Sequence, residues 1–107
     1  MLRGEVWWVD FAGAQGGEVQ KRRPAVIISN DQANRHLNRV QLVPLSTRVE
    51  RVFPSEALVR LADRPCKAMA DQLTTASKTR LLHRAGELQA GDMDAVERAV
   101  RLQLGLG

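Results

Sequence analysis

Two periodicities share this chain and limit what it can become. Over the first two thirds, apolar runs of strand length alternate with turn residues, and near the C-terminus a single helical stripe takes over. Glu5–Phe11, rich in Val, Trp and Phe, reads as a first strand. Pro24–Ser29 reads as a second, with Pro24 tolerated at its first residue because no earlier ladder bond is lost. Arg39–Leu45 follows, where Pro44 argues for an edge or a bulge, and Glu56–Leu61 alternates as a half-buried strand should. Ala68–Leu73 and Arg84–Leu88 complete the set. Between them lie a glycine-bearing loop, Ala12–Arg22, and a turn or short helix, Asn30–Asn38. Met93, Val96, Val100 and Leu104 then recur at helical spacing, with Asp92 as the expected N-cap and Gly105 as the release. A chain of 107 residues has room for one core, so residues 1–107 are expected to form a single domain. The predicted fold is mainly β with short helices, an antiparallel barrel carrying a C-terminal α-helix.

Charge narrows the partners. Sixteen Lys and Arg against twelve Asp and Glu leave +4, which favours an anionic ligand. The excess is concentrated. Between Lys21 and Arg51 seven basic side chains face only Asp31 and Glu50. Cys66 is the sole cysteine, so no internal disulfide is possible and a reducing compartment is expected. The N-terminal MLRGEVWWVDF carries charges at Arg3, Glu5 and Asp10 rather than a long apolar stretch, so a soluble, cytoplasmic protein with no membrane association is expected.

Few arrangements in the chain could carry chemistry. One Cys, two His (His36, His83) and scattered carboxylates make no metal-binding motif, so no metal and no other cofactor is expected. Three consecutive cations, Lys21-Arg22-Arg23, end the glycine loop and abut Pro24. A guanidinium there is held by the strand while the loop adapts, an arrangement suited to gripping a phosphate. Ser46, Thr47 and Arg48 place two hydroxyls and a cation where the third strand stops. Trp7 and Trp8, being adjacent in a strand, face opposite ways.

These segments, taken in order, resemble the MazF/PemK toxin family: Arg3-Gly4-Glu5-Val6-Trp7 with Val9-Asp10-Phe11, then Arg22-Arg23-Pro24-Ala25-Val26-Ile27-Ile28-Ser29-Asn30, then Val43-Pro44-Leu45-Ser46-Thr47, then Ala70-Asp71-Gln72-Leu73. The resemblance implies an SH3-like antiparallel barrel assembled as a homodimer and neutralised by a MazE-like antitoxin. It implies sequence-selective, metal-independent cleavage of single-stranded RNA, leaving a 2′,3′-cyclic phosphate and a 5′-hydroxyl. The family's central Arg falls on Arg23, and its catalytic Thr falls on Ser46, with Thr47 beside it as the other hydroxyl able to take that role.

On that reading Arg23 stabilises the transition-state charge and Ser46 or Thr47 orients the phosphate. A guanidinium stays protonated at neutral pH, so the base must be another group, Glu18 or His36. Lys21, Arg22 and Arg48 would grip phosphates, while Ser29, Asn30 and Gln72 would bond base edges. Two other readings stay open: a CcdB-like gyrase poison acting through the C-terminal helix, and an SH3-like RNA-binding module that does not cut.

Overall fold

Among the described residues seven strands and two helices form, most of them where the chain alternates or repeats. The computed structural model describes residues 1–13, 16–17 and 21–107. In chain order they are β1 (Glu5–Asp10), β2 (Arg22–Ile27), α1 (Asp31–His36), β3 (Arg39–Ser46), β4 (Glu56–Leu61), β5 (Arg64–Met69), β6 (Thr74–Ser77), β7 (Leu81–Glu87) and α2 (Ala90–Leu104). All pairings are antiparallel, in the order β4-β5-β3-β2-β1-β7, with β6 also on β3. The sheet curls until its two edges meet without pairing: a Cβ on Gly86 of β7 would lie 3.1 Å from Leu61 Cδ1 of β4. The result is the expected β architecture, a curled half-barrel with a C-terminal helix.

Strand alternation divides the apolar residues between two faces. One face, with Val6, Val26, Val43, Leu45 and Val59, packs under Val96 and Ala99 of α2. The other gathers Val9, Ala25, Ile27, Val40, Leu42, Ala76 and Leu81, with Trp7 and Phe11 against it. Trp7 and Trp8 do face opposite ways; Trp8 is 37% exposed and stacks on His83. No helix among the described residues is long and apolar enough to cross a membrane.

Several boundaries differ from the sequence expectation, each for a local reason. Ala68–Leu73 is not one strand: β5 ends at Met69, and a 3-10 turn, Ala70–Gln72, separates it from β6. β6, Thr-Thr-Ala-Ser, is too short and polar to carry an alternation signal. Asp92 is not the N-cap of α2. The helix starts at Ala90 after Gln89, and Asp92 Oδ2 instead accepts the Arg60 amide at 3.0 Å, tying α2 to β4. Gly105 closes α2 in the left-handed conformation, as expected.

Pro44 is neither at an edge nor in a bulge. It is fully buried in a central strand, where β6 pairs β3 up to Leu42 and β5 pairs it from Leu45. Ile28 N donates to Gln41 O, so by alternation Pro44 and Ala25 form a non-hydrogen-bonded pair, and the nitrogen of Pro44 points away from β2. It faces the gap left by the 3-10 turn, where no ladder bond is missed. Pro24 is the third residue of its strand rather than the first, and the same alternation aims its nitrogen at Leu45 of β3. That bond cannot form, and the β2–β3 ladder stops one residue earlier, at Ala25–Pro44.

Glu5 organises the N-terminal end of the sheet. Its Oε1 accepts the Leu2 amide at 2.9 Å and the Trp7 indole at 3.0 Å, and its Oε2 accepts Arg84 Nε at 3.2 Å. Burial alone would raise this carboxyl; the Leu2 and Trp7 hydrogen bonds, the N-terminal ammonium and Arg84 outweigh it and hold the group below its ordinary value of 4.5. A depressed carboxyl pKa stabilises the fold above the unfolded value and loses that stabilisation as pH falls through the folded one. Glu5→Gln is therefore expected to be less stable than the native chain by about 1–3 kcal/mol at neutral pH. The gap should close in acid below pH 4.5, as followed by urea unfolding across pH 3–7.

Candidate nucleic-acid interface

Strand direction decides whether Arg23 and Ser46 can share a ligand. Because β2 and β3 run antiparallel, the start of one lies beside the end of the other. Arg23 and Ser46 each lie two residues past the last pair of this ladder, Ala25–Pro44, so they stand at the same end of β2 and β3. Both belong to the face that carries Ala25, Ile27 and Leu42. Phe11 N donates to Lys21 O, so Val9 and Arg23 form a hydrogen-bonded pair and the Arg23 backbone is fixed to β1. Ser46 is held from the other side, paired with Lys67 of β5.

The two side chains differ in exposure. Arg23 is exposed. Ser46 is 7% exposed, and its Oγ accepts the Arg48 amide at 3.1 Å, which leaves its O–H free to donate. Thr47 and Arg48 stand exposed just past the strand end. Lys67 is already satisfied by Glu56 Oε1 at 3.1 Å and Arg51 O at 2.9 Å. By contrast the side chains of Lys21, Arg22, Arg23 and Arg48 make no hydrogen bond or ion pair with any described residue, so this end of the sheet keeps its positive charge. Glu18 lies outside the described residues.

A groove of about 420 Å³ opens beside this pair, lined by Phe11, Pro44, Asp71, Gln72, Thr74 and Arg80 among others. Arg23 and Ser46 do not line it themselves, but Phe11 follows Val9 on the face that carries Arg23, and Pro44 lies two residues before Ser46 on the same face of β3. Gln72 Nε2 donates to Gly17 O at 3.0 Å, linking the 3-10 turn to the β1–β2 connection. Among the described residues no three His, Cys, Asp or Glu side chains converge to hold a metal ion.

Other expected site residues fall elsewhere. Asn30 is the N-cap of α1, its Oδ1 accepting the Ala33 amide at 2.8 Å. Ser29 Oγ bonds buried Asn34 and accepts the Gln41 amide at 3.0 Å. Both have structural duties, and six residues of extended chain set Ser29 roughly 20 Å from Arg23. His36, at the end of α1, shares that far end. The structure does not bring these three together with Arg23 and Ser46. Conversely Phe11, Asp71, Thr74 and Arg80 line the groove without having been singled out. Phe11 and Asp71 lie within the family-like segments Val9-Asp10-Phe11 and Ala70-Asp71-Gln72-Leu73, but Arg80 follows a polar stretch with no periodic signal.

The chain matches the family model described as PemK-like, MazF-like toxin of type II toxin-antitoxin system over residues 2–104. It is 34% identical over 115 residues to endoribonuclease MazF9 of Mycobacterium tuberculosis, covering 99% of this chain and 98% of that protein. Endoribonuclease MazF of Staphylococcus saprophyticus is 29% identical over 111 residues, with 99% and 92% covered. Among solved structures, an endoribonuclease in complex with its cognate antitoxin from a mycobacterial species superposes with TM-score 0.84 at 29% identity, covering 100% of this chain and 97% of that one. MazF from Deinococcus radiodurans gives TM-score 0.86 over 98% and 96% of the two chains, at 23% identity a likeness of fold. A match that spans nearly every residue, on a fold with the same curl and the same terminal helix, makes this chain a member of the PemK-like, MazF-like toxin family of type II toxin-antitoxin systems.

Proposed function

We propose that the chain acts as one toxin domain, an endoribonuclease that cuts single-stranded RNA by transesterification without a metal ion. The observation that carries this reading is that Arg23, with no side-chain partner among the described residues, and the hydroxyl of Ser46 lie on one face at one end of β2 and β3. RNA supplies its own nucleophile. The 2′-hydroxyl attacks the adjacent phosphorus, the 5′-oxygen of the next nucleotide leaves, and the products are a 2′,3′-cyclic phosphate and a 5′-hydroxyl. Arg23 donates charge-assisted hydrogen bonds to the phosphoryl oxygens as negative charge builds on them. Ser46 donates its O–H to the same phosphate and orients it.

Proton transfer falls to a carboxylate in this reading. Glu18 remains the proposed base from the sequence, and Asp71, in the groove wall, is the second candidate. His36 is set aside, since it sits at the opposite end of the sheet. Lys21, Arg22 and Arg48 steer and grip flanking phosphates. Gln72, which lines the groove, reads a base by trading its Nε2 bond to Gly17 O for one to the base edge, which would account for sequence selectivity. Ser29 and Asn30, committed to α1, have no part in it.

The toxin acts in the cytoplasm as a two-fold homodimer, and a cognate antitoxin holds it inactive until growth must be arrested. Support for the antitoxin comes from the mycobacterial relative solved in complex with its own.

Purified protein incubated with long single-stranded RNA in EDTA should produce discrete cuts. Arg23→Ala should stay folded and lose roughly two to three decades in kcat, equivalent to roughly 3–4 kcal/mol. Full cleavage by a folded Arg23→Ala variant, or RNA bound intact by the native chain, overturns the proposal; gyrase inhibition without RNA cleavage would point to the CcdB-like alternative. Ser46→Ala and Thr47→Val separate the two hydroxyls: the first should lower kcat by about a hundredfold and the second by no more than a few-fold. The reverse ranking would transfer the role to Thr47.

A further inference from the structure

Past Val9 and Arg23 the curled sheet thins to two strands. The β2–β3 ladder has stopped at Ala25–Pro44, and the β1–β7 ladder stops at Val9–Leu81. The ribbon beyond, holding the Asp10–Arg22 pair and the Phe11–Lys21 bond, has no third strand on either side among the described residues. Two-stranded ribbons are marginal in water unless something packs on them. Arg23 is the first residue inside this boundary.

Arg80 stands where the missing β7 partner would be. It closes the 3-10 turn Lys78–Arg80, immediately before Leu81. The two hydrogens of its Nη1 are donated to Asp10 O at 3.0 Å and Ala12 O at 3.3 Å. The same segment is braced from within, since Asp10 Oδ1 accepts the Ala12 amide at 2.9 Å. Across the ribbon, Phe11 N donates to Lys21 O at 2.7 Å, and Lys21 turns the chain into β2 with φ 64°, a left-handed conformation costly for a side-chain-bearing residue. The Arg80 side chain therefore replaces with two hydrogen bonds the ladder that β7 no longer supplies. Its anchoring reaches Arg23 through a single cross-strand pair.

We propose that Arg80 is a positioning residue for RNA cleavage: by pinning the Asp10 and Ala12 carbonyls it holds the β1–β2 ribbon against the groove wall and so fixes where Arg23 stands relative to Ser46. This rests on the ribonuclease reading given above. Arg80 lines the groove and keeps its charge, but Nη1 is committed to the protein's own backbone, which gives the side chain a direct hold on the geometry of β1. Lys at this position could still donate to both carbonyls, whereas Ala could donate to neither.

The test compares the native chain with Arg80→Lys and Arg80→Ala by amide hydrogen exchange and by RNA cleavage kinetics. In Arg80→Ala the Phe11 amide should exchange about tenfold faster while amides of α2 and β3 keep their protection. kcat should fall about tenfold with KM changed less than twofold, and the dependence of RNA affinity on salt should keep its slope. Arg80→Lys should restore most of both the exchange protection and kcat. Unchanged Phe11 exchange in Arg80→Ala, or faster exchange spread evenly through α2 and β3, overturns the proposal. A raised KM with a shallower salt slope also overturns it, making Arg80 a phosphate ligand instead. If the native chain cuts no RNA, the ribonuclease reading fails, and the Phe11 exchange result still decides whether Arg80 anchors the ribbon.

Discussion

A hydrogen bond that Pro24 cannot donate shapes the functional end of this molecule. Every antiparallel ladder needs its alternate N–H groups, and the one aimed from position 24 at Leu45 is missing. From that level the two strands take different neighbours, β2 staying with β1 and β3 passing to β5. Pro44 repeats the device one strand over, its nitrogen facing the 3-10 turn that parts β5 from β6. Together the two prolines open the sheet without leaving a buried N–H unpaired. Pro44, Asp71 and Gln72 all line the groove at that opening.

Some cations of the fold are matched, Arg3 with Glu97, Lys67 with Glu56 and Arg84 with Glu5, while Arg35, Arg64, Arg98 and Arg101 make no ion pair among the described residues. Lys78 caps the Asn34 carbonyl, and Arg60 donates to Asp63 O at 3.0 Å. At the open end Lys21, Arg22, Arg23 and Arg48 carry no such partner among the described residues. Exposed ion pairs contribute little to stability, so leaving these four unpaired forfeits little of it. What the arrangement gains is a cluster of uncompensated positive charge around the β2 start and the β3 end, the condition for drawing in a polyanion.

The sequence made much of this legible because the strands with strong alternation are also those that build the site. β1, β3 and β4 emerge almost residue for residue, since Val6, Val9, Leu42, Val43 and Val59 are wholly or almost wholly buried and mark their faces. Arg23 and Ser46 could be named from motif and residue type, but not placed: whether they face one another depends on strand direction and register, which are long-range facts. The prolines were visible yet misread, because a missing donor matters only once the neighbour opposite it is known. Asn30 and Ser29 show the converse. Their polar side chains read as ligand-facing in isolation, and only the packing of α1 reveals that they are consumed by a cap and by a buried amide. Arg80 carried no signal at all, because its acceptors are carbonyls in a distant part of the chain, and carbonyls occur at every residue.

Arg23 and Ser46 are thus held by different neighbours, and among the described residues no hydrogen bond joins the two across the split. Their separation is set by how far the β1–β2 ribbon leans from β3, a soft coordinate compared with the stretch of a ladder. On the ribonuclease reading, a phosphodiester gripped by both supplies the cross-link that Pro24 denies. The substrate then completes the pairing, and the energy of gripping the phosphate is spent on closing that gap as well as on binding. Binding energy used in this way appears in kcat rather than in affinity. It follows that substitutions which loosen the ribbon should slow the chemical step while leaving RNA bound, whereas substitutions at Lys21 or Arg48 should weaken binding and spare the step.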